Sequence, residues 1–177
     1  MRKQAGNQDH GNEPNPYATR EDFIKVFHED MAGLYRLSFL LTGDHEKAER
    51  CFVAGIEDCV KENRVFREWA RSWAKRIIIE NAIRELKPRP NLSGASRSAN
   101  VSSHREKPSG SSGNFDLETV LKLGDFARFV FVMSVLENYS DHECTLLLGC
   151  SVLELRQARV HALEELASSG QVVSLAP

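Results

Sequence analysis

Residues 139–154 read YSDHECTLLLGCSVLE and contain two helix starts on either side of one helix end. Ser140 with Glu143 predicts a capping box, in which a hydroxyl and a carboxylate satisfy the free amides of a helix start. Ser151, with a glutamate three residues later, repeats the pattern, and Gly149 between them predicts a left-handed helix end. A short helix, a tight turn and a second helix are typical of a helix-turn-helix, whose second helix enters the DNA major groove. An ordinary αα-hairpin fits this segment equally well.

The composition is that of a globular protein. Hydrophobic residues make up 41% and charged residues 27% of the 177 residues. No apolar run approaches the ~20 residues that span a bilayer, and residues 1–10 lack the apolar segment of a secretory signal. We therefore expect a cytoplasmic protein without a membrane partner.

The residues that could carry catalysis or bind a metal show no convincing arrangement. Cys51, Cys59, Cys144 and Cys150 lack the paired short spacings of zinc sites, which favours buried thiols. The chain contains no glycine-rich phosphate loop and no Ser/His/Asp arrangement placed on strands and loops. We expect no enzyme activity, no cofactor and no metal.

Local composition divides the chain into five segments. Residues 1–18 are polar and predict a disordered tail, and residues 19–88 carry three amphipathic helical patterns. Residues 89–115 are rich in serine, glycine, asparagine and proline and predict a flexible linker. Residues 116–168 predict a second helical domain that ends in the helix-turn-helix, and residues 169–177 predict a tail. Since no strand pattern is present, we expect an all-α fold of two small helical domains joined by a flexible linker.

Apolar spacing also predicts where the helices begin, end and pack. The first helix runs from Thr19 to Leu41, and Gly43 ends it before Asp44 caps the second. The third helix covers about residues 65–86, and its inward positions are Phe66, Trp69, Ala70, Trp73, Ile77 and Ile78. The last helix covers about residues 152–167, and its inward positions are Val152, Leu155, either Ala158 or the stem of Arg159, Ala162, Leu163 and Leu166.

Charge is distributed unevenly, although the net charge is only -2. Between Arg64 and Arg89 eight positive residues stand against three negative ones, whereas between Asp116 and Ser168 nine negative residues stand against four positive ones. Basic residues supply much of the affinity for nucleic acid because they neutralise phosphate. We therefore expect the basic middle of the chain to face phosphate, with a solvated polar surface as the alternative.

Four segments resemble the extracytoplasmic-function group of bacterial sigma factors. Residues 34–44, LYRLSFLLTGD, resemble the opening of that family's core-binding domain, and KAER at 47–50 stands where the family has Ala-Glu-Asp. Residues 71–77, RSWAKRI, resemble the Trp-Leu-x-x-Ile stretch of the promoter-melting helix. Parts of residues 128–151 resemble the promoter-recognition domain.

The resemblance implies a protein that directs core RNA polymerase to promoter DNA, and it admits an anti-sigma protein as a further partner. The expected DNA contacts are Ser151, Leu155, Arg156, Gln157, Arg159 and His161 on the last helix and Trp73, Lys75, Arg76, Arg84 and Lys87 on the third. The expected polymerase contacts on the second helix are Glu46, Glu49, Arg50, Glu57 and Asp58. Trp69 and Trp73 are suited to stacking on unpaired bases, but the alignment of Trp73 with Ile77 favours a place in the core.

Several polar positions depart from the family pattern. Val53 and Ala54 replace a Gln-Glu pair that is implied to grip the polymerase, and Glu80 and Arg84 replace an Asn and an Asp. LRQA at 155–158 replaces Val-Lys-Ser-Arg on the recognition helix. A second hypothesis is therefore a degenerate sigma fold that serves as a protein-interaction module and no longer reads promoters. A third, a one-domain regulator from another helix-turn-helix family, leaves the tryptophan-bearing basic helix and the linker unexplained.

Overall fold

A computed structural model describes residues 15–61, 64–90 and 117–171. These residues form eight α-helices: α1 (Arg20–Glu29), α2 (Met31–Thr42), α3 (His45–Val60), α4 (Ala70–Leu86), α5 (Leu117–Lys122), α6 (Asp125–Phe131), α7 (Asp141–Leu148) and α8 (Val152–Gln171). A 3-10 turn (Arg67–Trp69) precedes α4, and a π-helical turn (Val132–Leu136) continues α6. The predicted all-α class is confirmed, because the described ranges contain no strand beyond one isolated bridge. None of the described helices is long and apolar enough to cross a membrane.

The segments predicted as tails and linker fall largely outside the described residues. Of the predicted linker 89–115, the structure describes only residues 89 and 90, and of the tail 1–18 only the last four residues. Those four lie against the segment before α4, where the Ala18 amide donates to the Val65 carbonyl at 2.7 Å. At the other end, α8 continues to Gln171, into the segment predicted as a tail.

The helix starts in the first half of the chain follow the predicted local chemistry. Thr19 and Asp22 form a capping box at the start of α1, with the Thr19 amide donating to the Asp22 carboxylate at 2.8 Å. Gly43 ends α2 at φ 68°, in the left-handed region. The Asp44 carboxylate then accepts the Lys47 amide at 2.9 Å and caps α3. These predicted starts and stops are confirmed.

The single helix predicted from Thr19 to Leu41 is wrong, because the chain breaks at Asp30. This residue has φ -118° and ψ 27°, between the end of α1 and the start of α2. Phe27 before the break and Leu34 after it are both buried. The spacing of apolar residues therefore stays helical across the break, which hides it from a periodicity argument.

Helix α4 lies at the centre of the N-terminal unit, which we define as α1–α4. It packs against α1, α2 and α3, and its residues Ala74, Ile78, Ile79 and Ala82 are fully buried. Gly55 of α3 permits a close approach, since a Cβ atom there would lie 2.9 Å from Cγ1 of Ile78. A helix buried on most of its circumference is typical of the centre of a bundle.

The third helix begins later than predicted, and two of its aromatic residues face outward. Phe66 is 40% and Trp69 56% exposed, so their predicted inward positions are wrong. The segment before α4 is a 3-10 turn with three residues per turn. Phe66 precedes this turn in an extended conformation, with φ -61° and ψ 142°, and Trp69 ends the turn, so a period of 3.6 residues does not apply to either side chain.

Helix α6 and its π-helical turn form the core of the C-terminal unit, which we define as α5–α8. Every residue from Phe129 to Met133 is fully buried, and α6 packs mainly against α8. The Ser134 hydroxyl donates to the Val130 carbonyl at 2.6 Å, which supplies a partner for a backbone oxygen near the π-helical turn. The sequence predicted one helix here, and the change in helical type was not predicted.

The two units contact each other directly and share one apolar core. Arg128 of α6 is only 5% exposed and joins them. Its guanidinium donates to the Leu41 carbonyl at 3.2 Å, at the end of α2, and to the Leu123 carbonyl at 3.0 Å, just beyond α5. A cation is favourable at these positions because helix C-termini carry partial negative charge. The two predicted domains therefore pack together in this structure instead of lying apart.

Candidate nucleic-acid interface

Helices α7 and α8 are joined by a three-residue connection with the predicted caps. The Glu143 amide donates to the Ser140 hydroxyl at 3.3 Å, and the Ser140 amide donates to the Glu143 carboxylate at 2.9 Å. Gly149 takes φ 62° and ends α7. Ser151 and Glu154 form the same reciprocal pair at the start of α8, at 3.2 Å and 2.8 Å. Both capping boxes and the glycine stop are confirmed.

The cap at the start of α8 places a negative charge where a phosphate was expected. The Ser151 hydroxyl donates to the Glu154 carboxylate at 2.7 Å, so this hydroxyl is already engaged within the protein. Bonds from the Ser151 amide and hydroxyl hold the pKa of Glu154 below its ordinary value. An ionised carboxylate at this helix start repels a DNA phosphate, which weakens the expected role of Ser151.

The inward face of α8 differs from the prediction at two positions, and a third residue, Leu155, is inward as predicted but was also expected to contact DNA. Leu155 is fully buried with Ala162 and Leu166, so it belongs to the core and the expected DNA contact from Leu155 is wrong. Val152 and Leu163 were predicted inward and are exposed. The reason is that α8 packs on one side, mainly against α6, which leaves its opposite flank in water.

The two arginines of α8 are both held by Asp141 of α7. Arg159 donates to the Asp141 carboxylate at 2.5 Å and to the Ser134 hydroxyl at 3.0 Å, and it is partly buried. Arg156 is exposed and contacts the same carboxylate at 3.4 Å. The hydrogen bond and charge of Arg159, reinforced by Arg156, lower the pKa of Asp141. Of the two arginines, Arg156 is the one available to an external ligand.

Two more expected contacts on α8 are at the surface. Gln157 is exposed one position after Arg156. His161 is exposed and lies 3.6 Å from the Glu165 carboxylate, one turn further along the helix. Arg156 and Gln157 therefore supply the exposed hydrogen-bond donors near the start of α8.

The basic residues of α4 are less available to phosphate than predicted. Lys75, Arg76 and Arg84 contact three different elements. Their carboxylate partners are Glu137 after the π-helical turn at 2.7 Å, Glu80 on α4 itself at 3.0 Å and Asp58 on α3 at 3.1 Å. Lys87 follows α4 in a left-handed conformation and is exposed, without an ion-pair partner among the described residues. Three of the four expected phosphate contacts thus have intramolecular partners.

Trp73 packs against the core rather than offering an open stacking face. Its side chain is partly buried against the core cluster. Its indole N–H is buried and has no acceptor among the described residues. The core role that the alignment with Ile77 favoured is therefore confirmed, and the expected DNA contact from Trp73 is not supported.

An exposed aromatic cluster lies beside the start of α4 and was not predicted as a unit. It consists of Tyr17, Phe66 and Trp69. The rings of Tyr17 and Phe66 are stacked at 5.1 Å between centroids, and Trp69 meets Phe66 edge-on at 5.2 Å. The sequence pointed to Trp69 alone, because Tyr17 belongs to the segment predicted as a tail. Arg67 follows Phe66 directly and contacts Asp22 at 3.1 Å.

The expected polymerase-binding face of α3 is largely exposed, except at one position. Glu46, Glu49, Arg50 and Glu57 line a shallow depression together with Val53 and Ala54. Arg50 reaches across to the Glu85 carboxylate of α4 at 2.7 Å. Lys61, which directly follows α3, and Arg84 and Asn81 of α4 donate to the Asp58 carboxylate and lower its pKa, so Asp58 lies toward α4. The placement of Asp58 on the exposed face is therefore wrong.

The cysteines behave as the apolar residues that the sequence predicted. Cys51, Cys59 and Cys144 are buried, and Cys150 is half-buried. Burial raises the pKa of Cys59 to about 12 and that of Cys144 to about 11, so these thiols stay protonated at neutral pH. Within the described ranges, no three histidine, cysteine or acidic side chains are grouped as a metal site would require.

Comparison with known proteins identifies no family for this chain. The chain matches no protein-family model, and no curated protein matches it.

Proposed function

We propose that the chain is a sigma-factor-like protein that binds core RNA polymerase and promoter DNA to initiate transcription. The observation that carries the proposal is the pair of capped helices α7 and α8, with Arg156 and Gln157 exposed near the start of the second. The first turns of a recognition helix are the part that reaches base edges in the major groove. Arginine and glutamine are suited to that task, because each can make two hydrogen bonds to a base. This activity belongs in the cytoplasm.

The aromatic cluster supports a role in holding the opened promoter strand. Tyr17, Phe66 and Trp69 present stacked and edge-on rings at the surface. Arg64, two residues before Phe66, is exposed and has no ion-pair partner among the described residues. Exposed aromatic faces bind unpaired bases, with about 1–3 kcal/mol from each stacked base, and a basic residue nearby in the sequence adds attraction to the strand's phosphates. In the proposal this surface receives single-stranded DNA, in place of Trp73.

The exposed side of α3 supports a contact with core polymerase. Glu46, Glu49 and Glu57 surround Val53, so the surface combines an apolar centre with a charged border. Protein interfaces have this composition, with apolar residues at the centre and polar residues at the rim. An anti-sigma protein remains a further partner that the proposal admits.

The direct test is whether the full chain co-elutes with bacterial core RNA polymerase and supports transcription. We expect a stable complex in gel filtration and specific transcripts from promoter fragments of the source genome. Absence of both would reject the proposal.

Binding to duplex DNA tests the proposed recognition helix separately. We expect the double variant Arg156→Ala with Gln157→Ala to lose promoter affinity at least about tenfold, because each base contact contributes roughly 1–3 kcal/mol. Arg20→Ala is the matched control, since Arg20 is an exposed arginine on α1 without an ion-pair partner among the described residues. Equal losses in the double variant and the control would show that α8 does not read the promoter.

A second candidate function is a protein-interaction module that kept this fold without promoter recognition. It is favoured by the intramolecular partners of Lys75, Arg76 and Arg84, which reduce the charge available to phosphate. A promoter reader should lose duplex affinity steeply as salt concentration rises, because binding releases counterions. An interaction module should show no duplex binding even at low salt. Fluorescence anisotropy with labelled promoter duplex distinguishes these results.

A further inference from the structure

Helix α8 carries two apolar stripes, and the core covers only one of them. The covered stripe contains Leu155, Ala162 and Leu166, all buried. The other, which we call the outer stripe, is exposed, with Leu153 at 66% and Val160 at 55%. Its members are Leu153, Arg156, Val160, Leu163 and Ala167.

The outer stripe has the spacing of a helix–helix seam. Its residues follow one another at steps of three, four, three and four along α8. This repeat keeps side chains on one line of a helix and is the pattern that packs against a second helix in a coiled coil. Leu146 of α7 is exposed as well and adds apolar surface in the same unit. A second helix is therefore the kind of partner that this surface fits.

The sequences outside the described residues do not repeat the apolar spacing of the outer stripe. Residues 1–14 contain one large apolar side chain, Met1, and residues 91–116 contain Leu92, Val101 and Phe115 at wide separations. Residues 172–177 contain Val172, Val173 and Leu175, which do not repeat the steps of three and four. A second copy of this chain, in contrast, brings an identical stripe.

The charges along α8 are complementary to those of an antiparallel copy. When two α8 helices cross antiparallel with Val160 opposite Val160, Arg156 faces Glu164 and Leu153 faces Ala167. Glu164 is exposed and has no ion-pair partner among the described residues. Arg156 has only its 3.4 Å contact with Asp141, which Arg159 already binds more closely. Each copy then gains an ion pair, and a large side chain packs against a small one.

We propose that the outer stripe is a self-association surface, through which two copies of the chain pair their α8 helices antiparallel. The arrangement is isologous, so the same residues act on both sides and the assembly closes at two copies. The contact covers about four helical turns, which is less than a standard interface. We therefore expect a weak, reversible dimer with a dissociation constant on the order of 10–100 μM. The proposal does not depend on DNA binding.

Sedimentation velocity of the full chain between about 1 μM and about 500 μM tests this surface, over the range that brackets the expected dissociation constant. We expect a concentration-dependent shift from monomer to dimer, which Val160→Asp weakens at least about tenfold by burying a charge in the interface. Val53→Asp is the matched control, because Val53 is a valine of similar exposure, 46%, on the distant helix α3. The control should associate like the unchanged protein.

A charge exchange tests the antiparallel register. Arg156→Glu alone sets two glutamates against each other, and Glu164→Arg alone sets two arginines together, so each should weaken association. The double variant restores opposite charges and should recover the dimer. A monomer at all concentrations, a dimer that survives Val160→Asp, or a double variant weaker than both single variants would overturn the proposal. If the chain dimerised only after removal of residues 172–177, those residues would themselves cover the outer stripe. That result would also overturn the proposal.

Discussion

Gly149 sets the direction in which the chain leaves α7. Its φ of 62° lies in the left-handed region, and a Cβ atom at this position would meet no other atom within 4 Å. The only obstacle to a larger residue is therefore backbone conformation, which costs an L-residue about 1–2 kcal/mol. The helix caps formed by Ser140, Glu143 and Ser151 could also be predicted from sequence, because a capping box depends only on residues three positions apart.

We expect Gly149→Ala to lower the free energy of unfolding by about 1 kcal/mol, because alanine adopts the left-handed conformation with strain. Gly124→Ala is the matched control, since its surroundings are equally open but its φ is -57°. Urea denaturation followed by circular dichroism measures both variants. Equal losses would mean that strain at Gly149 does not determine the effect.

Asp141 makes the stability of the α7–α8 unit depend on pH. Its pKa is lowered from the ordinary value of 3.8 by the hydrogen bond and charge of Arg159. A carboxyl with a depressed pKa stabilises the folded state above its unfolded pKa, and this contribution is lost as pH falls through the folded pKa. We expect Asp141→Asn to be less stable than the unchanged protein at neutral pH, with the difference shrinking below pH 3.8.

Chemical denaturation at a series of pH values from neutral to below 3.8 measures the difference in stability between Asp141→Asn and the unchanged protein. Glu164→Gln is the control, because Glu164 is exposed and has no ion-pair partner within the described ranges. A difference from the unchanged protein that stays constant with pH would contradict the role given to Asp141.

Helix α4 shows how packing between helices restricts the residues that an element can contain. Its surroundings on α1, α2 and α3 demand small residues where helices approach closely, as at Gly55 of α3. Existence and type of most helices could be predicted from apolar spacing. The break at Asp30 could not, because Phe27 and Leu34 keep the same buried face on both sides of it. Phe66 was misplaced because it lies in an extended segment before the 3-10 turn, where no helical period applies.

We expect Gly55→Ala to destabilise the protein by about 1–3 kcal/mol, because overpacking a filled interior outweighs the better helix propensity of alanine. The new methyl group would lie 2.9 Å from Cγ1 of Ile78, a fully buried side chain with little freedom to move. Ala32→Gly, at an exposed position of α2, gives the propensity difference alone. Thermal unfolding of both variants provides the comparison. A stabilised Gly55→Ala variant would show that the space between α3 and α4 accommodates the added methyl group.

Arg128 joins the N-terminal and C-terminal units of the molecule, and this role could not be predicted from the sequence. A buried arginine and an exposed one look alike in sequence, and its acceptors Leu41 and Thr42 lie more than eighty residues away. Long-range partners also could not be predicted from sequence at the candidate nucleic-acid interface. Lys75 was predicted to face phosphate because it belongs to the basic middle of the chain, but its carboxylate partner Glu137 belongs to the other unit. Long-range pairs of charges decide which basic residues remain available, and local patterns do not record them.

We expect Arg128→Met to lower the free energy of unfolding by about 3 kcal/mol, since buried carbonyl groups lose a charged donor. The effect should extend to both units, because the guanidinium contacts the ends of α2 and α5. Hydrogen exchange measures it as faster exchange at the end of α2 and throughout α5 and α6. Arg20→Met, on the exposed side of α1, is the control. A loss under 1 kcal/mol, or one confined to α6, would show that Arg128 does not join the units.

The two tryptophans lie four residues apart, yet Trp69 is open to water while the indole nitrogen of Trp73 is enclosed. Their fluorescence should therefore separate into a red-shifted component that iodide quenches and a blue-shifted component that it does not reach. A ligand stacking on Trp69 would protect the first, whereas loosening of α4 would expose the second. The chain thus contains an optical reporter that distinguishes occupancy of its surface from disturbance of its interior, without any attached dye.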